Sequence, residues 1–390
     1  MSKYILPTYS RINISFTHGK GSWLYTKNKK KYLDFASGIA VNSLGHSNPI
    51  LLKALKEQAK KLWHTSNLYQ ICEQENAAKK LCKESFADKV FFCNSGAEAT
   101  DGVIKIMRRF HYSNGHSEKK KVIVFENAFH GRTLTGILAG ANKNHREGFL
   151  PHNNSTGGFI RASFNNIENF KKTINKEIAG IFVEPIQGEG GINVANNKYL
   201  EEIRRICNKH KILMALDEVQ CGIGRTGKLF AYEWSNIKPD LLTSAKGLGG
   251  GFPIGAILLS NKVSKIIKPG NHGSTFGGNQ LASAVSLAVL NEVSKKSFLN
   301  NVLKIGVFIQ NEIKGLIVKY PNKLEDIFGK GLMLGIKCKG SNLDICAAFR
   351  DKGLLSVPAS NNVIRLLPPL NISLNEAKIA VKMISEALSD

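Results

Sequence analysis

The sequence predicts an α/β protein built on a mostly parallel sheet, and three features carry that prediction. Short apolar runs recur at Lys89–Cys93, Lys121–Phe125, 179–183, 212–216 and 240–245, each bounded by glycine, proline or charge. That is the length and composition of strands buried on both faces. From about residue 66 the runs alternate with amphipathic stretches of helical length, as in βαβ units. Finally, 390 residues with 43% hydrophobic and 22% charged content suffice for a large core and more than one domain. The expected division is an N-terminal arm and part of a smaller domain over 1–65, a large domain over 66–300, and the rest of the smaller α+β domain over 301–390.

Taken in order, the chain opens with an extended arm and a hairpin pairing 21–25 with 31–35. A helix near 48–62 follows, with Ile50, Leu51, Ala54, Leu55 and Ala59 at helical spacing. Ser37, Gly38 and Asn42 fall in the loop between them, which the sequence alone reads only as a loop. The Lys89–Cys93 run leads into NSGAE (94–98) and a helix to about Tyr112. Such a junction aims backbone N–H groups and a helix N-terminus at an anion, with Gly96 allowing close approach and Ser95 adding a hydroxyl. Many plain turns carry the same residues.

The Lys121–Phe125 run leads into NAFHGRT (127–133). Phe129, just past a strand's carboxyl end, can stack on a planar ring, and Arg132 can hold a carboxylate in a bidentate fork. A core phenylalanine and a surface arginine fit the same positions. The 179–183 run ends in EPIQGEGG (184–191), read as a flexible glycine loop carrying Glu189. A helix over 198–210 returns the chain to the 212–216 run. The 253–259 stretch reads as a strand leaving the site, and GSTFGG (273–278) precedes a long apolar helix from near Gln280. The last elements are a strand over 332–336 and a helix over 373–389.

Two of these runs end in opposite charges. Residues 212–216 run into Asp217, and 240–245 run into Lys246, 29 positions later, followed by glycines. In open α/β sheets chemistry gathers at the carboxyl ends of parallel strands, so both groups are expected on one rim. The pair suits pyridoxal phosphate, which needs a lysine amine to condense with its aldehyde. It also needs an acid to keep its pyridine nitrogen protonated, so that the ring draws electrons from the substrate. A solvated lysine opening a glycine-rich loop is the competing reading of Lys246.

From TYSRINISF (8–16) to VIRLLPPLNIS (363–373), the chain resembles the class III aminotransferases, fold-type I pyridoxal-phosphate enzymes acting mostly on ω-amines. The segments KKYLDFASGIAVNSLGH (30–46) and LWHTSNLY (62–69) carry that likeness furthest, toward a branch of amino-acid biosynthesis with N-acetylornithine and 2-oxoglutarate as small-molecule substrates. The resemblance implies a seven-stranded, mostly parallel sheet in the large domain. It implies pyridoxal 5'-phosphate held through Lys246, with Asp217 on the ring nitrogen, Phe129 and Val219 on the two ring faces, and Gln220 on the ring's phenolic oxygen. Gly96 and Ala97, with Ser95, match the phosphate-binding residues, and Thr275 matches one that reaches the phosphate of a partner subunit. Arg132, Ser274, Glu189 and Arg365 match substrate-side residues, Glu189 pairing with Arg365. The implied assembly is a homodimer with shared sites. The family more often has Asn-Glu where this chain has Thr100 and Asp101, which leaves the packing under the phosphate loop open.

Other classes fit the sequence less well, a basic nucleic-acid-binding protein being the alternative from a different class. The formal charge is +24, but the lysines are spread in short runs without interleaved aromatics, so no nucleic-acid stripe is expected. GIGRTG (222–227) fits GxGxxG literally, yet no helix pattern follows and Asp240, 13 residues past the last glycine, comes too soon for a dinucleotide fingerprint. Seven cysteines show no metal-like spacing, pointing to a reduced, cytoplasmic protein without a resident metal. Neither a membrane span nor a signal peptide is expected.

Overall fold

The computed structural model describes residues 3–150 and 157–389. Seven strands form the central sheet: β1 (Lys89–Cys93), β2 (Lys121–Phe125), β3 (Phe159–Ala162), β4 (Ile178–Val183), β5 (Leu213–Asp217), β6 (Leu241–Ser244) and β7 (Gly255–Leu259). Their spatial order is β1-β7-β6-β5-β4-β2-β3. Only β7 runs against its neighbours, so the carboxyl ends of the other six share one rim. Asp217 pairs with Thr243 in the β5–β6 register, which sets Lys246 three residues beyond that rung.

Both faces of the sheet are covered, which explains why its strands read as unbroken apolar runs. Leu213 and Ala215 of β5 pack with Ala99, Val103 and Met107 of helix α1 (Gly96–Ser113). Met214 and Leu216 join the core that includes Leu200, Ile203 and Ile206 of α2 (Asn197–Lys209). Alternation along one strand thus feeds two cores.

The chain ends meet. Strands Phe16–Lys20, Trp23–Thr26 and Lys31–Asp34 form a sheet completed by Leu354–Leu355, which runs parallel to Lys31–Asp34. A further sheet orders Leu324–Lys330, Met333–Cys338, Val363–Leu366 and Val357–Ala359. The GIGRTG segment opens no helix. It is a run of turns in which the buried Arg225 donates to the carbonyls of Leu332 (3.0 Å) and Pro368 (2.5 Å). It therefore joins the central unit to the C-terminal sheet.

The loop after the N-terminal hairpin holds more than the sequence indicates. Ser37, Gly38, Ile39 and Ala40 have φ of 47°, 64°, 65° and 63°, a left-handed turn costing roughly 1–2 kcal/mol at each non-glycine residue. Asp34 steadies it, accepting from the N–H groups of Ala36 (3.0 Å) and Ser37 (2.8 Å) through Oδ1 and pairing with His46 Nε2 at 2.8 Å through Oδ2. The turn delivers Val41 to the cavity described next.

Candidate active site

A cavity of about 330 Å³ opens at the carboxyl rim. Lys246 and Asp217 both line it, from adjacent strands. Lys246 has φ 44°, a left-handed conformation for a residue with a side chain, which marks a position fixed by its surroundings. Burial pushes its amine below the usual lysine value. Glu189, Asp217 and Glu184 oppose the shift, and Arg365 adds to it. A larger neutral fraction is what a nucleophilic amine requires.

Asp217 is almost fully buried, yet both its oxygens are engaged. Oδ1 accepts from Val219 N and Thr243 Oγ1, each at 3.1 Å, and Oδ2 lies 2.7 Å from His130 Nδ1. These contacts fix the carboxylate plane.

The β1–α1 junction forms another wall. Ser95 caps the helix, its hydroxyl accepting from Glu98 N at 3.2 Å, while Gly96 and Ala97 stand in the first turn. A Cβ on Gly96 would come within 2.8 Å of Val219 Cγ1, so the glycine lets the β5 loop close against the helix start. The open question beneath this loop is answered by Asp101, which accepts from Thr133 Oγ1 at 3.1 Å and ties α1 to the next cap. Thr100 is buried in the cavity wall.

Phe129, Val219 and Gln220 line the same cavity. Arg132 is exposed at its edge, its guanidinium 5.5 Å from the centre of the Phe129 ring. Glu189 and Arg365 meet in a bidentate pair, Nη1 to Oε1 at 2.7 Å and Nη2 to Oε2 at 3.1 Å. The glycine segment is not a loose loop, as its composition suggested. It is the turn of a hairpin pairing Ile186–Gln187 with Asn193–Val194, and it is largely buried. Its backbone is tethered, Glu189 O accepting from Ser360 N (3.1 Å) and Gly190 O from Asn361 Nδ2 (2.9 Å).

Ser274 and Thr275 stand outside this cavity. Ser274 Oγ accepts from Asn94 Nδ2 at 3.1 Å, linking the 273–278 loop to the β1–α1 junction, and Thr275 is exposed.

The sequence reading overlooked two groups. His130 is buried against Asp217 and lines the cavity, and its Nε2 has no hydrogen-bond partner among the described residues. Glu184 also lines it, accepting from Phe129 N at 2.9 Å and Gly188 N at 3.4 Å. Burial, and next the neighbouring Asp217, hold its carboxyl far above the usual carboxylate range. The signal for Glu184 was present, because an apolar run ends in it just as one ends in Asp217.

Rim, buried lysine, paired aspartate and helix N-terminus together define the architecture of pyridoxal-phosphate-dependent transferases. The chain belongs to the aminotransferase class III family, whose model matches residues 4–388. It is 48% identical over 389 residues to an acetylornithine aminotransferase of Mesorhizobium japonicum, covering 98% of this chain and 97% of that one. It is likewise 48% identical to one from Brucella melitensis over 381 residues, with coverage of 98% and 94%. Among solved structures it is similar to the ornithine aminotransferase of Toxoplasma gondii (TM-score 0.94, 30% identity, 99% and 92% covered). It is also similar to the N-acetylornithine aminotransferase of Stenotrophomonas maltophilia (TM-score 0.86, 34% identity, 98% and 97% covered).

The enzyme works with pyridoxal phosphate. The residues present fit that group: a helix N-terminus for its phosphate, Phe129 and Val219 on the walls for its ring, and a buried carboxylate and a desolvated amine for its nitrogen and aldehyde.

Proposed function

We propose that the protein transfers the terminal (δ) amino group of N2-acetyl-L-ornithine to 2-oxoglutarate, giving N-acetylglutamate 5-semialdehyde and L-glutamate, in arginine biosynthesis. The observation that carries the chemistry is the pair of Lys246 and Asp217 on one cavity wall, beside a closed Glu189–Arg365 pair. The choice of substrate rests on the acetylornithine aminotransferases at 42–48% identity over nearly the whole chain.

The bound cofactor supplies an electron sink that stabilises negative charge on the substrate carbon beside the amine. Lys246 would hold it through its amine and, once released, would take the proton from the substrate carbon as base and give it back as acid, a role suited to a buried amine held below its ordinary pKa. Asp217 keeps the ring nitrogen charged. Ser95, Gly96 and Ala97 would receive the phosphate, Phe129 and Val219 would hold the ring, and Gln220 would serve its phenolic oxygen, all of them lining the one cavity. Arg132 and Ser274 orient the substrate.

Glu189 and Arg365 solve a selectivity problem. The donor has an uncharged methylene beside its amine, whereas 2-oxoglutarate has a carboxylate beside its ketone. With the pair closed the arginine is masked; with it open the same fork takes the carboxylate. Glu189→Gln is expected to raise kcat/KM for α-amino acids relative to N-acetylornithine by roughly tenfold, the worth of about 1.4 kcal/mol. Measuring both substrates on both proteins checks it, and an unchanged ratio counts against the switch.

The second reading is a sister ω-aminotransferase, acting on ornithine, succinylornithine or succinyl-diaminopimelate. The fold similarity to ornithine aminotransferase, at TM-score 0.94, favours ornithine among these. Single-turnover spectra of the cofactor-loaded protein with N-acetylornithine, ornithine and 4-aminobutyrate separate the readings. Conversion with N-acetylornithine alone supports the first, and equal or faster conversion with ornithine moves the assignment.

A homodimer with shared sites and a cytoplasmic setting complete the proposal, as does the division at about residues 65 and 300. Exposed Leu62, Trp63, Leu68, Tyr69 and Phe276 support the dimer, since Asn67 ties their segment to the Thr275 loop through Ser274 O (3.0 Å) and Gly277 O (3.1 Å). Light scattering that gives a monomer mass at working concentration would remove it. The seven free cysteines support a reducing compartment. No described helix is long and apolar enough to cross a membrane.

A further inference from the structure

Arg365 has a second partner in the cavity wall. Besides the carboxylate of Glu189, its Nη1 donates to Gln220 Oε1 at 3.3 Å, and Nη2 also reaches Pro358 O at 3.2 Å. Gln220 is buried, lines the cavity and follows Asp217 by three residues. Its amide lies over Gly188, where a side chain's Cβ would collide with Gln220 Oε1, Cδ and Nε2. The residue before Glu189 is therefore a glycine because this amide occupies the space, and the hairpin turn, Gln220 and Arg365 form one packed unit.

We infer that Gln220 is a positioning residue that transmits the state of the Glu189–Arg365 pair to the cofactor. The inference rests on the proposed reading, in which Gln220 faces the ring's phenolic oxygen. A guanidinium can only donate hydrogen bonds, so the amide end facing Arg365 must be the oxygen. Both Nε2 hydrogens are then left for the cavity, where an oxygen of the bound cofactor would accept. While Glu189 keeps Arg365 in place, the positive charge polarises the amide and strengthens that donation. When the half-exposed Glu189 swings away and a substrate carboxylate takes the buried fork instead, the charge and placement of Arg365 against Gln220 change, and with them the polarisation of the amide. One amide thus reports which substrate is bound to the ring that must react with it.

The alternative is that Gln220 merely fills space, and a two-by-two set of variants separates these. Wild type, Glu189→Gln, Gln220→Leu and the double variant, all full-length, are titrated with pyridoxal phosphate. The readouts are the dissociation constant and the ratio of the two absorbance bands of the bound cofactor at fixed pH. Glu189→Gln is expected to change that ratio about threefold when Gln220 is present, and to leave it unchanged in the Gln220→Leu background. Equal shifts in both backgrounds overturn the inference, because a filler cannot know whether Arg365 is held. Gly188→Ala provides a second route with Gln220 intact. Its Cβ displaces the amide, so it is expected to reproduce the insensitivity to Glu189→Gln, and retained sensitivity there is equally fatal. If no Lys246-dependent absorbance forms with pyridoxal phosphate in any variant, the proposed function itself falls, and this inference with it.

Discussion

Lys246→Ala is expected to lower turnover by about 10⁴-fold or more, since on the proposed function it removes both the anchoring amine and the base that moves the proton. The position is specialised at every level. Its backbone is left-handed at the end of a buried strand, and its side chain faces the cavity where desolvation favours the neutral amine. Lys246→Arg separates charge from proton transfer. Arginine keeps the positive charge but stays protonated at any working pH, so it cannot act as the base. Both variants are therefore expected to fail in single-turnover spectra with N-acetylornithine. The alanine variant alone is expected to recover part of its rate when a small primary amine is added, because a solution amine fits the space it leaves. Wild-type turnover in either variant would return Lys246 to the rank of a buried structural residue.

The rim was legible in the sequence for a physical reason. A parallel strand buried on both faces must be apolar throughout, so the first charge after the run marks its carboxyl end. That rule locates Asp217 and Lys246 and, applied evenly, also Glu184. Strand order was less accessible, because β7 beside β1 depends on pairings across more than 160 residues that no local pattern encodes. The left-handed turn at 37–40 was invisible, since only Gly38 favours that conformation and Asp34 and the surrounding packing impose it on the others. Composition misled at 188–191. Glycines there suggest mobility, but Gly188 serves to admit the Gln220 amide, and the backbone is tied to Ser360 and Asn361. His130 was hidden because a histidine inside NAFHGRT has no periodicity to declare it. Only the fold brings its Nδ1 to Asp217.

Asp217→Asn is expected to cost about 10²–10³-fold in turnover, the range for removing one preorganised electrostatic partner from a buried site. The substitution isolates charge from shape. An asparagine oxygen can still accept from Val219 N and Thr243 Oγ1, and its amide can donate to His130 Nδ1 once that ring's proton moves to Nε2. Melting temperature is thus expected to move little while the cofactor's dissociation constant rises and turnover falls. The residual rate should depend on Glu184. Asp217 is the second-largest cause holding that carboxyl above its usual range, after burial, so removing its charge lets Glu184 ionise more readily in the same wall. The Asp217→Asn, Glu184→Gln double variant is then expected to fall below the product of the two single effects. If Asp217→Asn keeps the wild-type rate with its cofactor bound, the ring nitrogen draws its charge from elsewhere. If the double variant is strictly multiplicative, the two carboxyls act independently despite sharing one cavity.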